Sequence, residues 1–269
     1  MRVLLATDGS DDAKTAAKWV RHLPLPSDRD VMVITVVEPP LVPGIPDMAV
    51  YPRAALIAEA RRLADDTAAE LLSGRSAIGR VVEGDARKEI SASARSWGAN
   101  LVVLGARGLG AIREFLLGSV SLGVARDALC PVLVCKGSPR DVRSVTVALD
   151  GSEHARRALA WIADLPLAAR LRLRLVGVAE PERRAALEKE LEAAAQTVRG
   201  RVAAVETAML SGAPADRIVQ DAGRYQSDLV VVGTRGAGAI TRLLLGSVSE
   251  SVLRHAECPV LVVRPPAGA

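Results

Sequence analysis

Aromatic side chains are nearly absent: one Phe, two Tyr and three Trp make up 2% of the 269 residues. A base-stacking platform for nucleic acid needs several exposed rings, and this chain has almost none to offer. The formal charge of +4 does not restore that possibility, because acids are mixed with the arginines throughout and no dense Lys/Arg block occurs. Nucleic acid is therefore not an expected partner, whereas small anions are compatible with the charge. No apolar stretch approaches the roughly 20 residues needed to cross a bilayer, so no membrane partner is expected. The start, Met1 to Ala6, meets Asp8 too soon for a secretory signal and reads as a strand. Three cysteines cannot form a paired framework, which points to a reduced, cytoplasmic protein.

What the chain does have is aliphatic residues and a repeat. Apolar residues make up 49% of it, so with few rings the core must be built from Val, Leu, Ile and Ala, a composition suited to parallel strands covered by helices. Leu101–Cys135 aligns without a gap with Leu229–Val263, about 23 of 35 positions being identical. The offset is 128 there but 142 near the domain starts, as Asp8 and Asp150 or Trp19 and Trp161 show. Repeat one thus carries about 14 extra residues, which fall in the Pro-rich stretch 38–52. Two domains are expected, 1–137 and 141–265, joined by the short polar segment Lys136–Asp141 and packed together.

Short apolar runs alternate with helical patterns in both repeats, which argues for βαβ units. The strands read 2–6, 31–37, 77–83, 101–104 and 131–135, then 142–149, 171–178, 203–210, 229–232 and 259–263. Ser10 and Ser152 suit helix caps, 53–72 is long enough for a second helix, and Pro131 and Pro259 end the last one. Leu171-Arg172-Leu173-Arg174-Leu175 alternates strictly, so its arginines share one face of a strand and are read as a partly solvated strand end.

The candidate chemistry follows the fourth strand. Gly105-Ala106-Arg107-Gly108 precedes Gly118-Ser119-Val120-Ser121 by nine residues, and Gly233-Thr234-Arg235-Gly236 precedes Gly246-Ser247-Val248-Ser249 by nine. Glycine lets backbone approach a phosphate that any Cβ would fend off. The Gly-Ser-Val-Ser segments sit where a helix begins, so amides can point at an anion, with the hydroxyls of Ser119, Ser121, Ser247 and Ser249 as further donors. The helix dipole contributes only about 0.3–1 kcal/mol, so hydrogen bonds must carry most of the anchoring. Asp8 and Asp150, each at the carboxyl end of a first strand, can accept a ribose or base hydrogen bond, help hold magnesium, or simply shape a turn. Arg107 and Arg235 reach a phosphate or only solvent, and the latter is commoner for loop arginines. Cys130, Cys135 and Cys258 read as small buried hydrophobes.

Gly-x2-Gly-x9-Gly-Ser, with an early Asp-Gly-Ser and a closing Cys-Pro-Val-Leu-Val, resembles the universal stress proteins in tandem form over nearly the whole chain. The resemblance implies two tandem doubly wound α/β domains, each a five-stranded parallel sheet of Rossmann-like order 3-2-1-4-5, with Asp8 facing Gly105 across the cleft. It implies ATP as ligand, with the backbone at Val36 and Val178 recognising adenine. It further implies an intramolecular pseudo-dimer in which Val132–Val134 meets Val260–Val262, and allows a homodimer of the tandem chain. Ala106 where repeat two has Thr234, and the Pro-rich loop, are departures that bear on equal affinity.

His22, His154 and His255 have no histidine counterparts in the other repeat, so no catalytic base is duplicated. No Gly-x4-Gly-Lys-Ser/Thr loop occurs, and the doubled glycine of adenylating pyrophosphatases is lacking. The function expected is nucleotide-dependent regulation of stress response or growth. The alternatives are slow Mg-dependent ATP hydrolysis or phosphotransfer at Asp8 or Asp150, and a nucleotide-independent scaffold using the Pro-rich loop.

Overall fold

The computed structural model describes residues 1–39, 52–71, 77–109, 117–234 and 245–264. Most of the Pro-rich loop, and Arg235 and Gly236, lie outside them. The first half runs β1 (Arg2–Ala6), α1 (Asp11–His22), β2 (Asp30–Val37), α2 (Arg53–Leu71), β3 (Ala77–Glu83), α3 (Ala86–Trp97), β4 (Leu101–Gly105), α4 (Ser119–Asp127) and β5 (Val132–Cys135). The second runs β6 (Ser144–Ala148), α5 (Glu153–Ala163), β7 (Arg172–Val178), α6 (Pro181–Val198), β8 (Ala204–Leu210), α7 (Pro214–Arg224), β9 (Leu229–Gly233), α8 (Ser247–His255) and β10 (Val260–Val263).

Helix starts follow local chemistry. The Ser10 hydroxyl accepts from Ala13 N at 3.2 Å and that of Ser152 from Ala155 N at 3.2 Å, satisfying amides that the first helical turn leaves over. Asp85 does the same for α3, which ends on Gly98 at φ 66°, a left-handed conformation that a Cβ disfavours.

Each half has the order 3-2-1-4-5, and the two sheets join into one of ten strands, β3-β2-β1-β4-β5-β10-β9-β6-β7-β8. The join is antiparallel: Leu133 stands opposite Leu261, Val134 opposite Val260, Val132 opposite Val262. Alternating side chains of the sheet feed two aliphatic layers, one beneath α1, α2, α5 and α6, the other beneath α3, α4, α7 and α8. Both layers run unbroken through the two halves.

Reciprocal caps reinforce the join. Lys136, just after β5, donates to the carbonyls of Leu253, Arg254 and Ala256 at 2.7, 3.0 and 2.8 Å, closing the carboxyl end of α8. Its counterpart 128 residues on, Arg264, donates to the carbonyl of Arg126 at the end of α4. Burial pulls the Lys136 ammonium down to about 8. The linker is pinned as well: Trp19 Nε1 donates to Lys136 O at 3.1 Å, and His22 Nδ1 lies 2.9 Å from Asp141.

The end of β7 is partly solvated, as expected, with Arg172 exposed and Arg174 half-buried. The Arg174 guanidinium forms two 2.9 Å bonds to the buried Asp221 of α7, with Glu206 at 3.3 Å and the Tyr225 ring 5.2 Å away.

Cys135 is buried, and Cys130 and Cys258 are half-buried. Burial pushes the Cys130 and Cys258 thiols up to about 11 and Cys135, fully buried, well above the ordinary thiol value of 9.0. A two-unit rise lowers the reactive thiolate about a hundredfold near neutrality. Native protein at pH 8 is expected to react with a thiol reagent at least about a hundredfold more slowly than the denatured chain, which should yield all three thiols; fast native labelling would contradict the packing.

Candidate functional site

The carboxyl edge of the sheet carries one cleft per half. The first encloses about 430 Å³, lined by Asp8 after β1, Val36 of β2, the Gly105–Gly108 turn and the Gly118–Ser121 segment. The second encloses about 440 Å³, lined by Asp150, Val178, Gly233 and the Gly246–Ser249 segment. Both volumes lie in the range of small-molecule sites. Of the residues singled out in the sequence, Asp8, Val36, Gly105, Arg107, Gly108, Gly118, Ser119, Val120 and Ser121 come together around the first, and Asp150, Val178, Gly233, Gly246, Ser247, Val248 and Ser249 around the second. Arg235 and Gly236 fall outside the described residues.

Gly118 and Gly246 are the N-caps of α4 and α8, and among the described residues no side chain caps either helix. Each cap is fixed from behind, Gly118 N donating to Ala106 O at 2.8 Å and Gly246 N to Thr234 O at 2.7 Å. The Ser119 and Ser247 hydroxyls stand at the first helical positions.

Ser121 and Ser249 depart from expectation. Their hydroxyls donate to the carbonyls of Gly105 and Gly233, at 2.7 and 2.6 Å, so each single proton is spent on the end of a strand and not offered to a ligand. The role of Gly105 and Gly233 also differs. A Cβ on Gly105 would lie 2.5 Å from the Asp12 carbonyl carbon, and one on Gly233 2.9 Å from that of His154. These glycines let α1 and α5 sit against the fourth strands. Gly108 is the glycine whose missing Cβ matters in the cleft, where it would meet Asp8 Oδ2 at 2.5 Å.

Asp8, which lines the first cleft together with Gly105, makes its direct contacts with Gly108 and Leu109. Its Oδ1 accepts from Ser10 N at 3.0 Å in the turn expected of such an aspartate, and Oδ2 accepts from Leu109 N at 2.9 Å, tying β1 to the glycine loop. Asp150 repeats the turn with Ser152 N at 3.0 Å. Arg107 is held: its backbone N and Nε both donate to Asp12 Oδ2 at 3.1 Å. In repeat two His154 replaces Asp12, its Nδ1 2.8 Å from Thr234 Oγ1, so the threonine that replaces Ala106 turns to the helix and not the cleft.

The backbone at strand two has a distinct exposure. Thr7 N donates to Ile34 O at 2.9 Å, so alternation turns the amide and carbonyl of Val36 to the same side, beyond the last residue of β1. Leu149 N to Val176 O, 2.8 Å, places those of Val178 likewise. Both residues thus present a donor and an acceptor to their clefts.

One contribution went unread in the sequence: Ala86 and Ile90 of α3 line the first cleft, Pro214 and Ile218 of α7 the second. Both pairs are 128 residues apart, which is the signal that could have found them.

The family model described as the universal stress protein family matches residues 1–136 and 142–264. A universal stress protein of Thermus aquaticus is 38% identical over 136 residues, covering 45% of this chain and 98% of its own length. One from Mycolicibacterium smegmatis is 29% identical, covering 98% of this chain and 97% of its own. The crystal structure of a universal stress protein from Archaeoglobus fulgidus superposes with a TM-score of 0.75 at 24% identity, covering 98% of each chain, and supports the fold. Among the described residues no helix is long and apolar enough to cross a membrane.

Proposed function

Because the chain belongs to the universal stress protein family, we propose that each half holds ATP and that the bound nucleotide biases the conformation through which the protein regulates a stress or growth response. The observation that carries this reading is the pair of glycine-capped helix starts, without side-chain caps among the described residues, opening into clefts of about 430 and 440 Å³. Amides there suit phosphate oxygens, and the Ser119 and Ser247 hydroxyls add donors. The donor and acceptor of Val36 and Val178 suit the edge of adenine, which offers both. Asp8 and Asp150 are the carboxylates placed to meet ribose hydroxyls or a magnesium ion accompanying the phosphates.

Both Asp8 oxygens already accept backbone amides. That favours a positioning role over nucleophilic attack, and hence a ligand held for signalling over one turned over.

A ligand at a hundredfold excess over its Kd adds about 2.7 kcal/mol per site. For a chain of this size the melting temperature should rise by roughly 5 °C or more in millimolar ATP. The check is thermal unfolding with and without ATP, paired with mass spectrometry of small molecules released from freshly purified protein. No shift and no co-purified nucleotide would refute the proposal.

A further inference from the structure

Among the described residues, the two clefts share a backbone pattern but differ in charge. Around the first, Asp8 and Glu38 line the wall, and Arg107, the arginine among the described residues there, is paired with Asp12. Glu38 is not a stray surface acid: its Oε1 accepts from Ala86 N at 2.8 Å, which holds it at the start of α3 beside that helix's own cap, Asp85.

Repeat two dismantles this arrangement. Pro214 stands where Ala86 does and has no amide to offer, and Ala213 replaces Asp85 as the helix cap. His154 replaces Asp12. Arg183 of α6 joins the wall, leaving Asp150 as the one acid among the described residues lining the second cleft. Glu180, which matches Glu38 in sequence, caps α6 and is not among the residues lining the second cleft, where Arg183 stands instead.

We infer that Glu38 and Arg183 are specificity-determining residues that make the clefts unequal in ligand charge: the second half selects the nucleoside triphosphate, and the first discriminates weakly between triphosphate and monophosphate. The inference rests on the nucleotide reading above. Each added phosphate brings negative charge that Arg183 attracts and that Glu38 and Asp8 repel. One charge acting through a partly solvated cleft changes affinity by about five- to tenfold.

Single-cleft proteins make the comparison direct. Ser119→Asp and Ser247→Asp each place a carboxylate at a helix start, which the helix tolerates and a phosphate does not. Calorimetric titration with ATP, ADP and AMP, in the presence of a chelator, then reads one cleft at a time, with circular dichroism confirming the fold.

With only the second cleft open, affinity should fall steeply from ATP to AMP, and Arg183→Gln should weaken ATP about five- to tenfold while sparing AMP. With only the first open, ATP and AMP should bind within about fivefold of each other. There Glu38→Gln, whose amide oxygen can still accept from Ala86 N, should strengthen ATP selectively. Equal ATP-to-AMP ratios in the two clefts, no effect of either substitution, or a first cleft that binds no nucleotide while the second binds ATP would each overturn the inference and leave nucleotide binding standing. Absence of all nucleotide binding in the parent protein would overturn the nucleotide reading, and the inference with it.

Discussion

Gly108→Val is expected to empty the first cleft with little cost to folding. The new Cβ would stand 2.5 Å from Asp8 Oδ2, so the carboxylate must leave, and with it the acceptor for Leu109 N that ties the glycine loop to β1. The valine methyls then occupy space beside the Gly118 helix start. ATP binding at that cleft should weaken by about a hundredfold or more, roughly 2.7 kcal/mol. Gly108 lies in an exposed loop, so the unfolding free energy should change by no more than about 1 kcal/mol. Calorimetry should show the stoichiometry halved, and combining the change with Gly236→Val should abolish binding. Gly105→Ala provides the contrast: its methyl meets the backbone of α1 at 2.5 Å, and forcing the helix away should cost about 1–3 kcal/mol. An unaltered ATP titration for the double valine variant would remove the phosphate site from these loops.

Leu261→Ala is expected to cost about 2–5 kcal/mol, and to weaken both halves. Leu261 and Leu133 are each 1% exposed and stand directly opposite across the antiparallel join, within the aliphatic layer shared by the two halves. Because each truncation enlarges the same space, Leu133→Ala and Leu261→Ala together should cost less than their sum, by about 0.5–3 kcal/mol. Urea unfolding followed by tryptophan fluorescence and by circular dichroism should give one coincident transition for the parent protein. Additive costs, or two separated transitions, would mean that the halves fold as independent bodies.

The elements were legible because their causes are local. Runs such as Leu101-Val-Val-Leu and Val260-Leu-Val-Val state a buried strand by themselves, and Ser10 and Ser152 announce the helices they cap within three residues. The second helix, expected at 53–72, is found at Arg53–Leu71. Duplication added a check that single chains lack, since each assignment in one half had to hold in the other.

The cleft was legible as a place and less so as chemistry. Gly-Ser at a helix start is visible in the letters because the next residues continue the helical pattern. That Ser121 would spend its proton on Gly105 O, 16 residues earlier, is not, because the bond exists only once α4 packs over the end of β4. For the same reason the packing role of Gly105 was not legible: the backbone of α1 that demands its missing Cβ lies over 90 positions away in the chain.

What the sequence by itself determined is the duplication, the alternation of strand and helix, the strand order that the family resemblance implied, and the placing of the glycine turns beside the helix starts. All of these depend on residue type and on spacing along the chain. Only the tertiary structure decided which acids touch which amides: Asp12 on Arg107, Glu38 on Ala86, Lys136 across the join on the end of α8. Those contacts span from 48 to 117 residues, and a hydrogen bond has no signature in sequence until packing brings its two partners within about 3 Å.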